Sequence, residues 1–311
     1  MLKSFWHIFL WSVCLLLWMT ASAALSPDRR LNDTSLEIDS RKLSLLKQRV
    51  EGVEEETKRQ DVPRNDTTVT QPIKVAVCLA GQMRSFQFTA ANLNQFIIDP
   101  LKADVFVHTW TNRGHVSREK DPNPRIAVNA MQLRAAYHNL KYFQIEDAPD
   151  DISESWRGVT IPKGLVAREP MHWRGSIPNF YSIYTSMELK REFERQNGFQ
   201  YDVVIKIRPD LLVTSPVSEE ALHDVLSRDL LVFSSLAVTA RIQVSDKFAM
   251  GNSKVMDYYA SAWLKLNDYW QNWTVYSVGE RLLRKHMDHS SYETRQSAFA
   301  SVSWRRLKAG E

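Results

Sequence analysis

Residues 201–210 (YDVVIKIRPD) form the segment that decides which fold we expect for this chain. The centre of the segment is rich in apolar β-branched residues, which is typical of a strand buried on both faces of a parallel sheet. Pro209 has no amide hydrogen to donate, so strand pairing should stop there and leave Asp210 at the carboxyl edge of the sheet. Because ligands of open α/β sheets bind at that edge, Asp210 is the first candidate functional residue.

Upstream of this segment, strands and helices are expected to alternate. Residues 73–80 (IKVAVCLA) and 103–110 (ADVFVHTW) have the composition of buried strands, and a short strand is predicted at 142–145. Helices are predicted at 85–98, 126–139 and 179–196, with a loop over residues 147–177. This alternation predicts an α/β fold with a single, mostly parallel, Rossmann-like sheet and helices on both faces.

The first 25 residues carry a targeting signal. Residues 5–19 (FWHIFLWSVCLLLWM) are almost continuously apolar and follow Lys3. One interpretation is a signal peptide that is cut after Ala23 and leaves a secreted protein. The other is a retained signal anchor, since a helix continued through Leu25 spans about 30 Å, the thickness of the hydrocarbon core. We favour the anchor because of its large aromatic residues, and expect a single-pass type II protein of the Golgi or endoplasmic reticulum membrane with a lumenal domain.

Residues 26–72 change abruptly to a charged and hydroxyl-rich composition, which predicts a polar, flexible stem before the folded domain at 73–311. Two N-glycosylation sequons, at Asn32 and Asn65, fall in this stem, and a third lies at Asn272. Exposed acceptor asparagines in a stem agree with passage through the secretory pathway.

The net charge and the cysteine content of the chain limit the classes of protein to which it can belong. The formal net charge is +4 over 311 residues, without the basic stripe of a dedicated nucleic-acid-binding protein. The two cysteines, Cys14 and Cys78, lie in the apolar segment and in a predicted buried strand, so we expect no structural disulfide between them.

The carboxylate of Asp210 has two interpretations. At the end of a buried strand it can hold a divalent metal, Mn²⁺ or Mg²⁺, which in turn binds a diphosphate. Alternatively, it is an aspartate that opens a turn, which is a common use of this residue type.

Four segments, in order, resemble the motifs of GT-A-fold nucleotide-sugar glycosyltransferases, in particular the WavE-like polysaccharide-synthesis group. Residues 201–210 resemble the DxD-type segment, and residues 73–84 resemble the first nucleotide-binding strand. Residues 246–251 (DKFAMG) resemble the later (D/S)xFxxG segment near the acceptor, and residues 278–283 (VGERLL) resemble the glutamate-bearing helix that follows. The sequence departs from the pattern at Arg208, where many of these enzymes carry the first aspartate.

The resemblance implies a role for each matched residue. Asp210 would bind the metal or the sugar diphosphate, with His286 as a late metal ligand. Donor contacts would come from the turn at Gly81, from Arg84 through its planar fork, and from Arg208 at the phosphates or the ribose. Asp246 or Glu280 would be the base that deprotonates the acceptor hydroxyl. Each of these residues also has a purely structural interpretation. Arg84 would be a surface arginine, Asp246 part of a loop ion pair, Glu280 a helix start stabilised by the helix dipole, and His286 an exposed histidine.

The expected function is transfer of a sugar from a nucleotide-sugar donor to a glycan or glycoconjugate acceptor in the secretory pathway. The pattern leaves retaining and inverting chemistry open. A non-catalytic glycan-binding or scaffold protein on the same fold is the alternative. A sulfotransferase fits less well, because the turn at residues 81–84 (GQMR) has one glycine and no lysine to cradle a phosphate.

Overall fold

The computed structural model describes residues 72–112, 127–149, 152, 155–164, 173–234, 243–272 and 279–297. The described residues all belong to one compact unit. The predicted anchor and stem, with Asn32 and Asn65, lie outside the described residues. No helix in the described part of the chain has both the length and the apolar character needed to cross a bilayer.

Nine strands and seven α-helices are described. The strands are β1 Val75–Ala80, β2 Asp104–Trp110, β3 Leu140–Glu146, β4 Ser155–Trp156, β5 Val159–Thr160, β6 Val203–Ile207, β7 Leu230–Ser234, β8 Phe248–Gly251 and β9 Glu293–Ser297. The helices are α1 Phe86–Leu93, α2 Ala130–Ala136, α3 Trp173–Asn197, α4 Glu219–Ser227, α5 Ser253–Ala260, α6 Leu266–Asn272 and α7 Glu280–Asp288. A π-helical turn (Asn94–Ile98) extends α1, and a 3₁₀ turn (Ser261–Lys265) joins α5 to α6.

The main sheet has seven strands in the order β3-β2-β1-β6-β8-β7-β9. Only β8 runs against the others, pairing antiparallel with both β6 and β7. The chain builds outward from β1 through β2 to β3 and then returns to place β6 on the other side of β1. This reversal creates a topological switch point between β1 and β6, where ligands of such sheets bind at the carboxyl ends of the strands.

Helices cover both faces of the sheet, as the alternation of elements predicted. Along β1, Val75, Val77 and Leu79 belong to one core, which also contains buried residues of α1, α2 and α4. Ala76, Cys78 and Ala80 belong to a second core with buried residues of α3, α5 and α7. A central strand that is buried on both faces explains why its sequence is continuously apolar rather than alternating.

Several boundaries differ from those expected. The helix predicted at 126–139 is shorter, because Asn129 and Gln132 form a reciprocal capping box that starts it at Ala130. The helix predicted at 179–196 begins earlier, at Trp173, and includes Pro178. Part of the predicted loop at 147–177 is a small antiparallel β4–β5 pair. These differences are local and leave the expected fold class unchanged.

Candidate functional site

A cleft of about 450 Å³ opens at the switch point between β1 and β6. The turn after β1, the end of β2, the first turns of α3, and the loops that follow β6 and precede β8 line this cleft. The lining residues from these elements include, in chain order, Gly81, Gln82, Arg84, Trp110, Arg174, Asn179, Arg208 and Asp246. Three of these side chains are guanidinium groups, so the cleft suits an anionic ligand.

The turn after β1 is shaped by two residues with positive φ. Gly81 has a φ of 114° and donates its N–H to the backbone oxygen of His108 at 3.2 Å. Arg84 has a φ of 30°, a conformation that a residue with a side chain adopts at some energetic cost. The turn directs the Arg84 side chain across the switch point toward the loop that follows β6.

Asp210 lies between two arginines. Its Oδ2 accepts a hydrogen bond from Arg84 Nη1 at 2.9 Å, and its Oδ1 accepts one from Arg208 Nε at 2.9 Å. Arg208 Nη2 also donates to Oδ2, at 2.5 Å. Burial opposes ionisation of this carboxyl, but the charges and hydrogen bonds of Arg208 and Arg84 outweigh burial and lower its pKa to about 2. Asp210 therefore serves as a fixed anion that orients both guanidinium groups.

This arrangement does not fit a divalent metal. Mg²⁺ and Mn²⁺ require several oxygen ligands, whereas both Asp210 oxygens are already engaged by cations that would repel the metal. Within the ranges that the structure describes, no three His, Cys, Asp or Glu side chains are grouped so that they could hold a metal ion.

His286 lies elsewhere, in a buried aromatic pocket. Its ring stacks on Tyr258 with 4.3 Å between centroids, and its Nδ1 is 2.5 Å from the Tyr269 hydroxyl. Its Nε2 is 2.6 Å from the backbone oxygen of Tyr258. Burial lowers the pKa of His286 to about 4, so the ring is neutral at physiological pH. None of these contacts involves Asp210, and the structure does not bring the two predicted metal ligands together.

Asp246 and Glu280, the two predicted bases, do come together. Asn179 Nδ2 donates to Asp246 Oδ2 at 2.9 Å, while Asp246 Oδ1 is buried and has no hydrogen-bond partner among the described residues. Glu280 is the first residue of α7, and Lys247 Nζ lies 3.5 Å from its carboxylate. Burial and the neighbouring Asp246 charge raise the pKa of Glu280. Two carboxyl groups held in unlike environments are a common arrangement for acid–base chemistry.

The sequence did not point to three residues that the structure places in or beneath this cleft. Asn179 is the first residue of the helix predicted at 179–196 and Arg174 falls in the loop predicted at 147–177, and neither residue type is distinctive at such a position. Lys206 did carry a signal, because a lysine in the middle of a buried strand is rare.

The remaining predicted site is Asn272, the last residue of α6. It is exposed, as an acceptor of N-glycosylation must be. Its modification stays a prediction, as do those of Asn32 and Asn65.

Comparison with known proteins found no family model that matches this chain and no curated protein that is similar to it.

Proposed function

We propose that this protein is a glycosyltransferase that moves a sugar from a nucleotide-sugar donor to a glycan or glycoconjugate acceptor. The observation that carries the proposal is the meeting, at one switch-point cleft, of an oriented arginine pair (Arg84 and Arg208) with the carboxyl group of Asp246, which has Glu280 as its neighbour. The arginine pair suits a phosphate leaving group and the carboxyl group suits an acceptor hydroxyl.

The departing nucleotide needs its developing negative charge neutralised. Guanidinium groups do this through paired hydrogen bonds to phosphate oxygens, and they are most effective when they are already oriented. Asp210 supplies that orientation, since it contacts both Arg84 and Arg208. Arg174, at the start of α3, adds a third guanidinium to the cleft lining. The donor phosphates are therefore bound by arginines in this proposal.

The acceptor hydroxyl must lose its proton as the new glycosidic bond forms. We assign that proton to Asp246, because Asp246 lines the cleft and Asn179 holds its carboxylate, whereas the Glu280 carboxylate lies 3.5 Å from Lys247 Nζ. Asn179 Nδ2 holds Asp246 Oδ2 at 2.9 Å at the lining of the cleft, which is where the proposal places the acceptor. With the proposed anchor at residues 1–25, the reaction would take place in the lumen of the secretory pathway.

The test is binding of uridine, guanosine and cytidine diphosphates and their sugars, measured by thermal shift in EDTA and in manganese. A bound donor at a hundred times its Kd adds about 2.7 kcal/mol to the free energy of unfolding. We expect the same stabilisation in both buffers, because arginines rather than a metal hold the phosphates. Release of free sugar from the stabilising donor then shows that the protein is an enzyme.

Arg84→Lys is the informative variant, because lysine keeps the charge but loses the planar fork. We expect it to weaken nucleotide binding roughly tenfold or more, the effect of losing one charge-assisted hydrogen bond. Arg228→Lys is the matched control, since Arg228 contacts only Asp224 and Glu293 among the ion pairs described. No stabilisation by any nucleotide would contradict the proposal, and binding without sugar transfer or release would favour the glycan-binding or scaffold alternative.

A further inference from the structure

Lys206 is a fully buried lysine on the central strand beneath the cleft. Its relative exposure is 0%, and it pairs in register with Cys78 of β1 and Ala249 of β8. Val204, two residues earlier on the same face of β6, belongs to the apolar core there. An amine placed among apolar neighbours is unfavourable unless it makes a specific contact, so the burial of Lys206 calls for an explanation.

The contact that Lys206 makes is with the segment that carries Asp246. Its Nζ donates a hydrogen bond to the backbone oxygen of Asp246. The preceding residue, Ser245, is fixed from two further elements: its backbone oxygen accepts from the Tyr259 hydroxyl at 2.9 Å, and its Oγ lies 3.0 Å from Ser234 Oγ. Buried polar groups on β6, β7 and α5 therefore hold the segment Ser245–Asp246 from its buried side.

We propose that Lys206 is a positioning residue that fixes the Asp246 backbone so that the Asp246 carboxylate faces Asn179 and the cleft. The inference rests on the proposed function for the catalytic role of Asp246, although the placement of the segment can be tested without activity. In this arrangement Lys206 touches no substrate and acts only through Asp246.

Charged groups on several elements face the amine. Asp246 and Asp210 favour its charged form, whereas Arg208 and Lys247 oppose it, and the Cys78 thiol lies beside it on β1. Burial is the largest effect and lowers the pKa of Lys206 from 10.5 to about 7. Between these two values the folded protein holds a neutral amine and the unfolded chain a charged one, so unfolding takes up a proton. Stability therefore rises with pH across this window, by up to tenfold in the unfolding equilibrium constant per pH unit.

The variant Lys206→Met keeps an unbranched, apolar side chain that ends one atom earlier and lacks the amine. We expect it to fold, to lose the contribution of Lys206 to the pH dependence between pH 7.5 and 9.5, and to show faster amide hydrogen exchange at residues 244–248. Val204→Ala is the control, since it removes packing on the same strand face and leaves the amine in place. The same pH dependence and the same exchange at 244–248 as in the wild type would overturn the placement of Lys206.

A double-mutant cycle tests whether Lys206 acts through Asp246. If it does, Lys206→Met should lower kcat with little change in donor KM, and adding it to Asp246→Asn should cause almost no further loss. Fully additive losses would overturn the positioning role. If the wild type has no transferase activity, the proposed function fails, whereas the pH and exchange measurements still decide whether Lys206 supports the segment.

Discussion

Replacing Asp210 with asparagine tests the arginine–carboxylate cluster directly. The amide keeps the size and shape of the side chain, but it removes the charge that Arg84 and Arg208 share and turns one acceptor oxygen into a donor. Asp210 is only 4% exposed, so solvent screens this interaction weakly. We expect the protein to lose stability as well as phosphate binding.

The magnitude follows from the pKa of Asp210, which the folded protein lowers from 3.8 to about 2. At 1.36 kcal/mol per pH unit, this difference contributes roughly 2.5 kcal/mol to the free energy of unfolding at neutral pH. Because the folded-state pKa is the lower of the two, the contribution is complete above about pH 5 and is lost as the pH falls toward 2. At pH 3 about half of it should remain.

The assay is urea denaturation of the wild type and Asp210→Asn at pH 7, 5 and 3, followed by circular dichroism. We expect the variant to be less stable by about 2–3 kcal/mol at pH 7 and 5, and by about half as much at pH 3. Asp202→Asn is the control. This exposed carboxylate lies just before β6, and among the hydrogen bonds described it accepts only the one from the Lys74 backbone amide. A loss below about 0.5 kcal/mol at pH 7, the usual scale of a surface substitution, would refute the reasoning.

Three further predictions concern the rest of the chain. Asp246→Asn should lower kcat by roughly 10²–10⁴-fold with little change in donor affinity, whereas Glu280→Gln should cause a smaller loss. A larger loss of kcat in Glu280→Gln than in Asp246→Asn would make Glu280 the base. Folding lowers the pKa of His286 from 6.5 to about 4, so the unfolded chain takes up a proton here before the folded protein does. The contribution of His286 to the free energy of unfolding is therefore complete above about pH 6.5 and is lost as the pH falls toward 4. In acid denaturation, a His286→Gln variant should lack this loss. A retained anchor at residues 1–25 should keep the protein in the membrane fraction after alkaline carbonate washing, and a purified protein that begins at Ala24 would show that the segment is a cleaved signal peptide.

The sequence alone determined the alternating strands and helices up to residue 210 and the place of one candidate functional residue. The apolar run at residues 201–207 predicts a strand buried on both faces, and Val203–Ile207 is that strand. Pro209 predicts that pairing ends before Asp210, and Asp210 indeed follows the strand at the carboxyl edge of the sheet. These predictions succeed because periodicity and the missing proline donor act within a few residues.

The tertiary structure alone decided what each of these residues meets. Arg84 contacts Asp210 across 126 residues of sequence because the strand order reverses at β1 and places β6 beside it. The same packing turns a predicted metal ligand into the partner of two arginines, and it buries Lys206 beneath Asp246. Local sequence patterns record which faces of a strand are apolar, but not which strand lies next to it. The neighbours of a charged side chain, and therefore its pKa and its chemistry, follow from that long-range pairing.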